Sequence, residues 1–166
     1  MEKGLFSSLF IITMILLLTP TLVISNQSHY VTDTYNYLTL ATISADNVIV
    51  DAVMEESFQG SCVLKTDIAY DSEVVNYLNL FTTELNSFDY TNISCTYQNY
   101  QGTLLGVVYT GSLKLKCLQN NKFTSVTLEK ELLFQKNISA IDVNGICTVT
   151  IRDSLDGGTV VAQQVR

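Results

Sequence analysis

The stretch DSEVVNYLNLFTTELNSF, residues 71–88, decides between two architectures. Val74, Leu78, Phe81, Leu85 and Phe88 recur at steps of four and three. That spacing gathers them on one face of an α-helix, because 3.6 residues make a turn. Asp71 or Ser72 can cap the N-terminus, and Glu73 suits the positive end of the helix dipole. The spacing predicts one amphipathic helix over about 72–87. Without it, the chain would read as strands throughout.

The surrounding sequence is strand-like. Tyr35–Leu40 is rich in aromatic and apolar residues, and Val48, Val50, Ala52 and Met54 alternate with a mixed set. Cys62, Leu64, Thr66 and Ile68 continue that alternation. Ile93, Cys95 and Tyr97 alternate with Ser94 and Thr96, and Leu113, Leu115 and Cys117 alternate with Lys114 and Lys116. Alternation of period two is the mark of a half-buried strand. Gly111-Ser112 suggests a hairpin between residues 104–109 and 113–117. Asn144-Gly145 is a strong turn signal, because both residues tolerate positive φ. It joins Ile138–Val143 to Ile146–Arg152, and Asp156-Gly157-Gly158 precedes a last strand at Thr159–Gln163. Residues 127–136, TLEKELLFQK, favour helix by composition, although their pattern also allows a long strand. The expected fold is α+β. It is mainly an antiparallel, hairpin-rich sheet with the one helix packed on one face, so that each covers the other's apolar side. The alternative is an all-β sandwich.

The N-terminus sets the compartment. After Met1-Glu2-Lys3 comes the apolar block LFIITMILLL, residues 9–18, broken by Pro20. Small or β-branched residues follow at Val23 and Ser25. This is the pattern of a secretory signal peptide over 1–25, leaving residues 26–166 as one domain. An uncleaved anchor would need the same segment to span, and its scattered Ser and Thr argue against that. Secretion makes the protein extracellular and places its cysteines in an oxidising lumen.

Cys62, Cys95, Cys117 and Cys147 are therefore expected to form two disulfides. Three pairings satisfy the count. Sequential pairing, Cys62–Cys95 with Cys117–Cys147, is favoured here, each bond closing a loop of about thirty residues. Zinc is not expected: no two cysteines stand close enough, and the single histidine, His29, lies near the new N-terminus. Two Asn-X-Ser triplets, at Asn92 and Asn137, are expected to carry N-glycans. A third, at Asn26, falls too close to the cleavage point. Asn92 stands three residues before Cys95, so on a strand the sugar would face solvent while the thiol turns inward.

Chemistry is sparse. A serine or cysteine nucleophile needs a positioned base, and His29 is a poor one. Nucleotide-binding glycine loops are missing from the sequence. Asp46, Asp51, Glu55, Glu56, Asp67 and Asp71 crowd one region, which leaves open an enzyme working through a carboxylate pair. Asp153 and Asp156 lack the ligand spacing of a calcium loop. The net charge of −7 repels phosphate backbones and offers no basic patch to anionic lipid. No cofactor, metal, nucleic acid or membrane partner is expected after signal cleavage. An immunoglobulin domain would bring a core tryptophan, and the chain contains no Trp. The functional expectation is a binding or interaction protein, not an enzyme. Its partner would be an extracellular protein or small ligand, with Tyr97, Tyr100 and Tyr109 offering contact area. A protease-inhibitor-like module is the runner-up.

Overall fold

The computed structural model describes the backbone of residues 3–59, 62–87, 92–120 and 125–165, with side chains from Val31 onward. The expected signal peptide and its cleavage point lie outside the described side chains. Two helices, α1 (Lys3–Phe58) and α2 (Asp67–Ser87), precede five strands. These are β1 (Ile93–Leu105), β2 (Val108–Asn120), β3 (Ser125–Val143), β4 (Ile146–Asp153) and β5 (Thr159–Val165). The strands form one antiparallel meander in the order β1-β2-β3-β4-β5. The fold is α+β, mainly antiparallel sheet, with the helices on one face.

α2 follows the apolar stripe. Val74 and Leu78 are fully buried and Phe81 and Leu85 half-buried against the core. Phe88 lies outside the described residues. The helix begins earlier than expected, at Asp67, where Thr66 Oγ1 accepts the N–H of Ala69 as an N-cap. Asp71 is consequently inside the helix rather than capping it, and Tyr70 joins the buried stripe.

A second correction concerns residues 35–58, which form helix and not strands. Leu38, Ala41, Ala45, Ile49, Ala52 and Val53 are all buried. They recur at three- and four-residue steps, the helical period. The alternation of Val48, Val50, Ala52 and Met54 is an overlay on this stripe. Three alanines on the buried side let α1 lie close to the sheet. By length and hydropathy, Val31–Phe58 would also pass for a membrane span, yet much of it is buried inside the fold, as in a core helix. Leu64 and Thr66 lie in the loop after α1, and Ile68 lies in the first turn of α2.

The sheet departs from expectation in two places. β2 runs unbroken through Gly111-Ser112, and the β1–β2 turn falls at Gly106-Val107 instead. Gly111 is there because a Cβ would strike the Gln101 carbonyl and the Phe134 ring. Residues 127–136 are strand, because they pair in unbroken register with β2 within the 19-residue β3. Helix-favouring residues yield to that pairing. At Asn144-Gly145 both φ angles are positive (54° and 80°), the geometry of a type I′ hairpin turn.

β3 pairs with β2 over Ser125–Asn137 and with β4 over Lys136–Val143. The sheet is thus two offset halves that overlap at Lys136 and Asn137. On the inner face α1 packs across β2, β3 and β4, and α2 packs against β1 and α1.

Both disulfides differ from the sequential pairing. Cys62 joins Cys147, tying the loop between the helices to the start of β4. Cys95 joins Cys117, its directly opposite partner across β1 and β2, with Cα atoms 4.1 Å apart. The helical course of residues 31–58 is the reason. It returns Cys62 to the β4 end of the sheet, while the β1–β2 register sets Cys95 against Cys117.

Candidate functional site

The inner face carries a polar seam across the junction of the two half-sheets. Tyr109 on β2 pairs with Lys136 on β3, which pairs with Asp153 on β4. All three point under the helices. Lys136 is 1% exposed. Its Nζ is 2.8 Å from Asp46 of α1 and is also bonded to Asp153. A buried ammonium demands such partners, because an unpaired charge there would cost several kcal/mol.

Asp153 has further work. Its Oδ1 accepts the N–H of Leu155 at 2.7 Å and of Asp156 at 3.3 Å, shaping the β4–β5 turn. Burial alone would push its pKa up. The bonds from Lys136 and the turn amides outweigh that and hold the carboxyl below its usual range. Asp156 Oδ1 accepts the N–H of Gly158. A cavity of about 260 Å³ opens beside this group, lined by Asp46, Asn47, Val50, Lys136 and Asp153 among others.

On the α2 side, Tyr100 and Tyr109 converge on Asp71. Their hydroxyls touch each other and both donate toward Asp71 Oδ1, Tyr100 at 3.0 Å. A Cβ at Gly102 would collide with all three oxygens, so only glycine leaves room here. Burial, first, and then the neighbouring carboxylate raise both tyrosine pKa values well above the ordinary range, so both hydroxyls stay protonated. Phe134 stacks on Tyr100 and tilts against Tyr109. Tyr70 bonds Ser57 of α1 at 2.9 Å. Among the described residues every buried side-chain nitrogen and oxygen has a partner.

This places the acidic crowd of the sequence. Asp46 and Asp71 enter the seam from opposite helices. Asp51, Glu55 and Asp67 are exposed and Glu56 is half-buried. Two carboxylates, Asp46 and Asp153, do approach one another, but with Lys136 bonded to both. Asp153 is held ionised, which suits an ion pair rather than a general acid. Lys136 was not among the sequence candidates, and Asp153 was weighed only as a calcium ligand and set aside. The signal that could have found Lys136 is its place in the alternation Phe134, Lys136, Ile138, where a charge stands on the apolar side. Among the described residues no group of three or more His, Cys, Asp or Glu is placed to hold a metal ion.

The three tyrosines offered as contact residues serve the interior or the helix instead. Tyr109 is buried, Tyr100 is in the seam, and Tyr97 donates to Asn79 of α2 at 3.0 Å. Asn92 is exposed, in the left-handed region (φ 51°), immediately before β1. Asn137 is exposed on the outer face of β3.

That outer face is uncovered by helix. Toward β1–β3 it is polar, and Lys114 and Lys116 both bond Glu129 at 3.2 Å. Toward β3–β5 it turns apolar. Val143, Ile146 and Val165 form one cross-strand row, Ile141 stands beside it on β3, and Val161 lies beyond Gln163 on β5. All five are at least 40% exposed. No protein-family model, no curated protein and no solved structure matches the chain.

Proposed function

We propose that the chain is a secreted, N-glycosylated interaction module that binds an extracellular protein through the apolar end of its open sheet face. The observation that carries this reading is the contiguous patch of Ile141, Val143, Ile146 and Val165. An exposed apolar cluster rimmed by polar residues is the usual mark of a binding surface. Its neighbours Thr148, Thr150 and Gln163 supply the polar rim on the same face.

The two disulfides suit an oxidising compartment. Asn137, expected to be glycosylated, stands six residues from Val143 along β3, roughly 20 Å at 3.4 Å per residue. A sugar there borders the face and leaves the Val143–Ile146–Val165 row open. The inner seam supports binding over catalysis, since its charges are mutually saturated.

The test is affinity capture from extracellular fluid with the glycosylated domain and two variants. Ile141→Asp with Val165→Asp should lose a partner that Lys114→Glu with Lys116→Glu retains. Equal capture by both would refute the patch as the binding surface. A second reading, an extracellular protease inhibitor, is favoured by the β1–β2 turn, where Leu105 and Val107 are exposed at a hairpin end. Inhibition of an extracellular protease that Leu105→Asp abolishes would establish it instead.

A further inference from the structure

The two edges of the sheet are treated differently. β1 is defended. The N–H and C=O of Cys95, which face the open side, are both taken by the Asn86 side-chain amide, at 2.7 and 2.9 Å. A register shift between Gln98 and Gln101 breaks the line of the edge, and the Asn92 triplet stands at its start. Bulges and covering groups of this kind keep edge strands from pairing with other chains.

β5 has none of these. The N–H of Asp153 donates to the C=O of Gly158. By alternation, Val160, Ala162 and Gln164 then bond to β4. Thr159, Val161, Gln163 and Val165 turn their N–H and C=O groups to the open edge. Thr159–Val165 reads TVVAQQV, with no charge, proline or glycine, in a chain of net charge −7.

We infer that β5 pairs antiparallel with β5 of a second copy of this chain, making one continuous sheet. The strand is self-complementary about Ala162. In that register Val161 faces Gln163 of the second copy and Thr159 faces Val165. All four outward residues of each strand then exchange both backbone bonds, and no like charges oppose. Elsewhere the acidic surface repels a second copy, so the uncharged edge is where two copies can approach. The inference is separable from the partner-binding reading, because the two share only Val165, while Ile141, Val143 and Ile146 lie off the β5 edge.

The experiment is sedimentation velocity on the secreted protein from about 1 µM to about 500 µM, a range suited to a small interface. Amide exchange is followed at both ends of the range. The mass should double with concentration, and the amides of Val161 and Gln163 should become protected in step. Gln163→Pro removes an edge N–H that β4 does not use, and Val161→Lys adds an edge charge. Each should leave a folded monomer, while Gln98→Lys on the other edge should leave association intact. A monomer at every concentration with freely exchanging edge amides overturns the inference. So does doubling that survives both Val161→Lys and Gln163→Pro, or edge protection that does not depend on concentration. Ile141→Asp should still dimerise, which separates this result from failure of the partner-binding reading.

Discussion

Replacing Lys136 by Met keeps the volume of the buried stem and removes its charge. Asp46 and Asp153 are then left without their common cation. Their side chains are 26% and 12% exposed, so neither is fully hydrated. Removing one partner of a buried ion pair typically costs about 3–5 kcal/mol. Asp46, the more exposed, can recover part of its hydration, which puts the expected loss near the lower bound, about 3 kcal/mol at pH 7. That is a large share of the roughly 5–15 kcal/mol that stabilises a domain. The cost should shrink with acid. In the wild type the folded pKa of Asp153 lies below its unfolded value, so its contribution is present above the unfolded carboxylate range. It is lost as pH falls through the folded pKa. In Lys136→Met protonation relieves the stranded charge, so the gap between the two proteins narrows toward pH 4. Urea unfolding at pH 7 and pH 4 measures both effects, with the disulfides intact and tyrosine fluorescence as the probe, since the chain has no Trp. A deficit under about 1 kcal/mol at pH 7, or one equal at both pH values, would refute a buried, charge-saturated Lys136.

Leu78→Ala should lose about 3–5 kcal/mol in the same assay, because the side chain is fully buried. Asn79→Ala gives up an exposed bond to Tyr97 and should cost no more than about 1 kcal/mol. Alkaline titration should show Tyr100 and Tyr109 resisting ionisation until the protein unfolds. Their folded pKa values lie above the unfolded 10.0, so their contribution is whole below pH 10 and lost as pH rises beyond it. Tyrosinate absorbance that rises through pH 10 in one step for all nine tyrosines, with the fold retained, would contradict the seam. Replacing Cys62 and Cys147 by Ser should destabilise more than replacing Cys95 and Cys117. They enclose 85 residues against 22, or about 4–5 against 3–4 kcal/mol in the chain-entropy account, as thermal melts would show.

The α2 stripe and the Asn144-Gly145 turn were legible because each is a local signal. α2 needs only the spacing of Val74, Leu78, Phe81 and Leu85, and the turn only two residues that accept positive φ. α1 was not legible, because Val48, Ile49, Val50 and Val53 are β-branched and favour strand by local preference. Burial against the sheet overrides that preference, through alanines whose smallness carries no strong pattern. The disulfide pairing was lost with it. Drawn as strands, residues 35–58 gave no reason for Cys62 to reach β4. Lys136 was not singled out within the 127–136 segment, since its partners stand 90 and 17 residues away. Long-range pairing of this sort has no local sequence mark. The open face was not legible, because no local pattern announces that β3, β4 and β5 would align Val143, Ile146 and Val165.

The seam also explains how two helices find one position on a sheet built of two offset halves. Apolar contacts alone leave α1 free to slide by a turn, 5.4 Å, with little change in buried area. Polar contacts do not. Thr34 bonds Gln119 at 2.7 Å, Asp46 meets Lys136, and Cys62 is tied to Cys147, so α1 is registered at three heights. Asp71, Asn79 and Asn86 do the same for α2 against Tyr109, Tyr97 and Cys95. These three are spaced eight and seven residues apart, two turns each, so they form a second stripe beside the apolar one. Apart from the disulfide, each of these hydrogen bonds adds little net stability. A shift of one turn would strand every one of them, and that penalty is large. A charge-free seam, Lys136→Met with Asp46→Asn and Asp153→Asn, separates the two roles. It should recover most of the stability lost by Lys136→Met alone, while amide exchange along residues 38–53 loses its uniform protection. Recovery of both stability and protection would mean that apolar packing alone registers α1, and that the seam sets nothing.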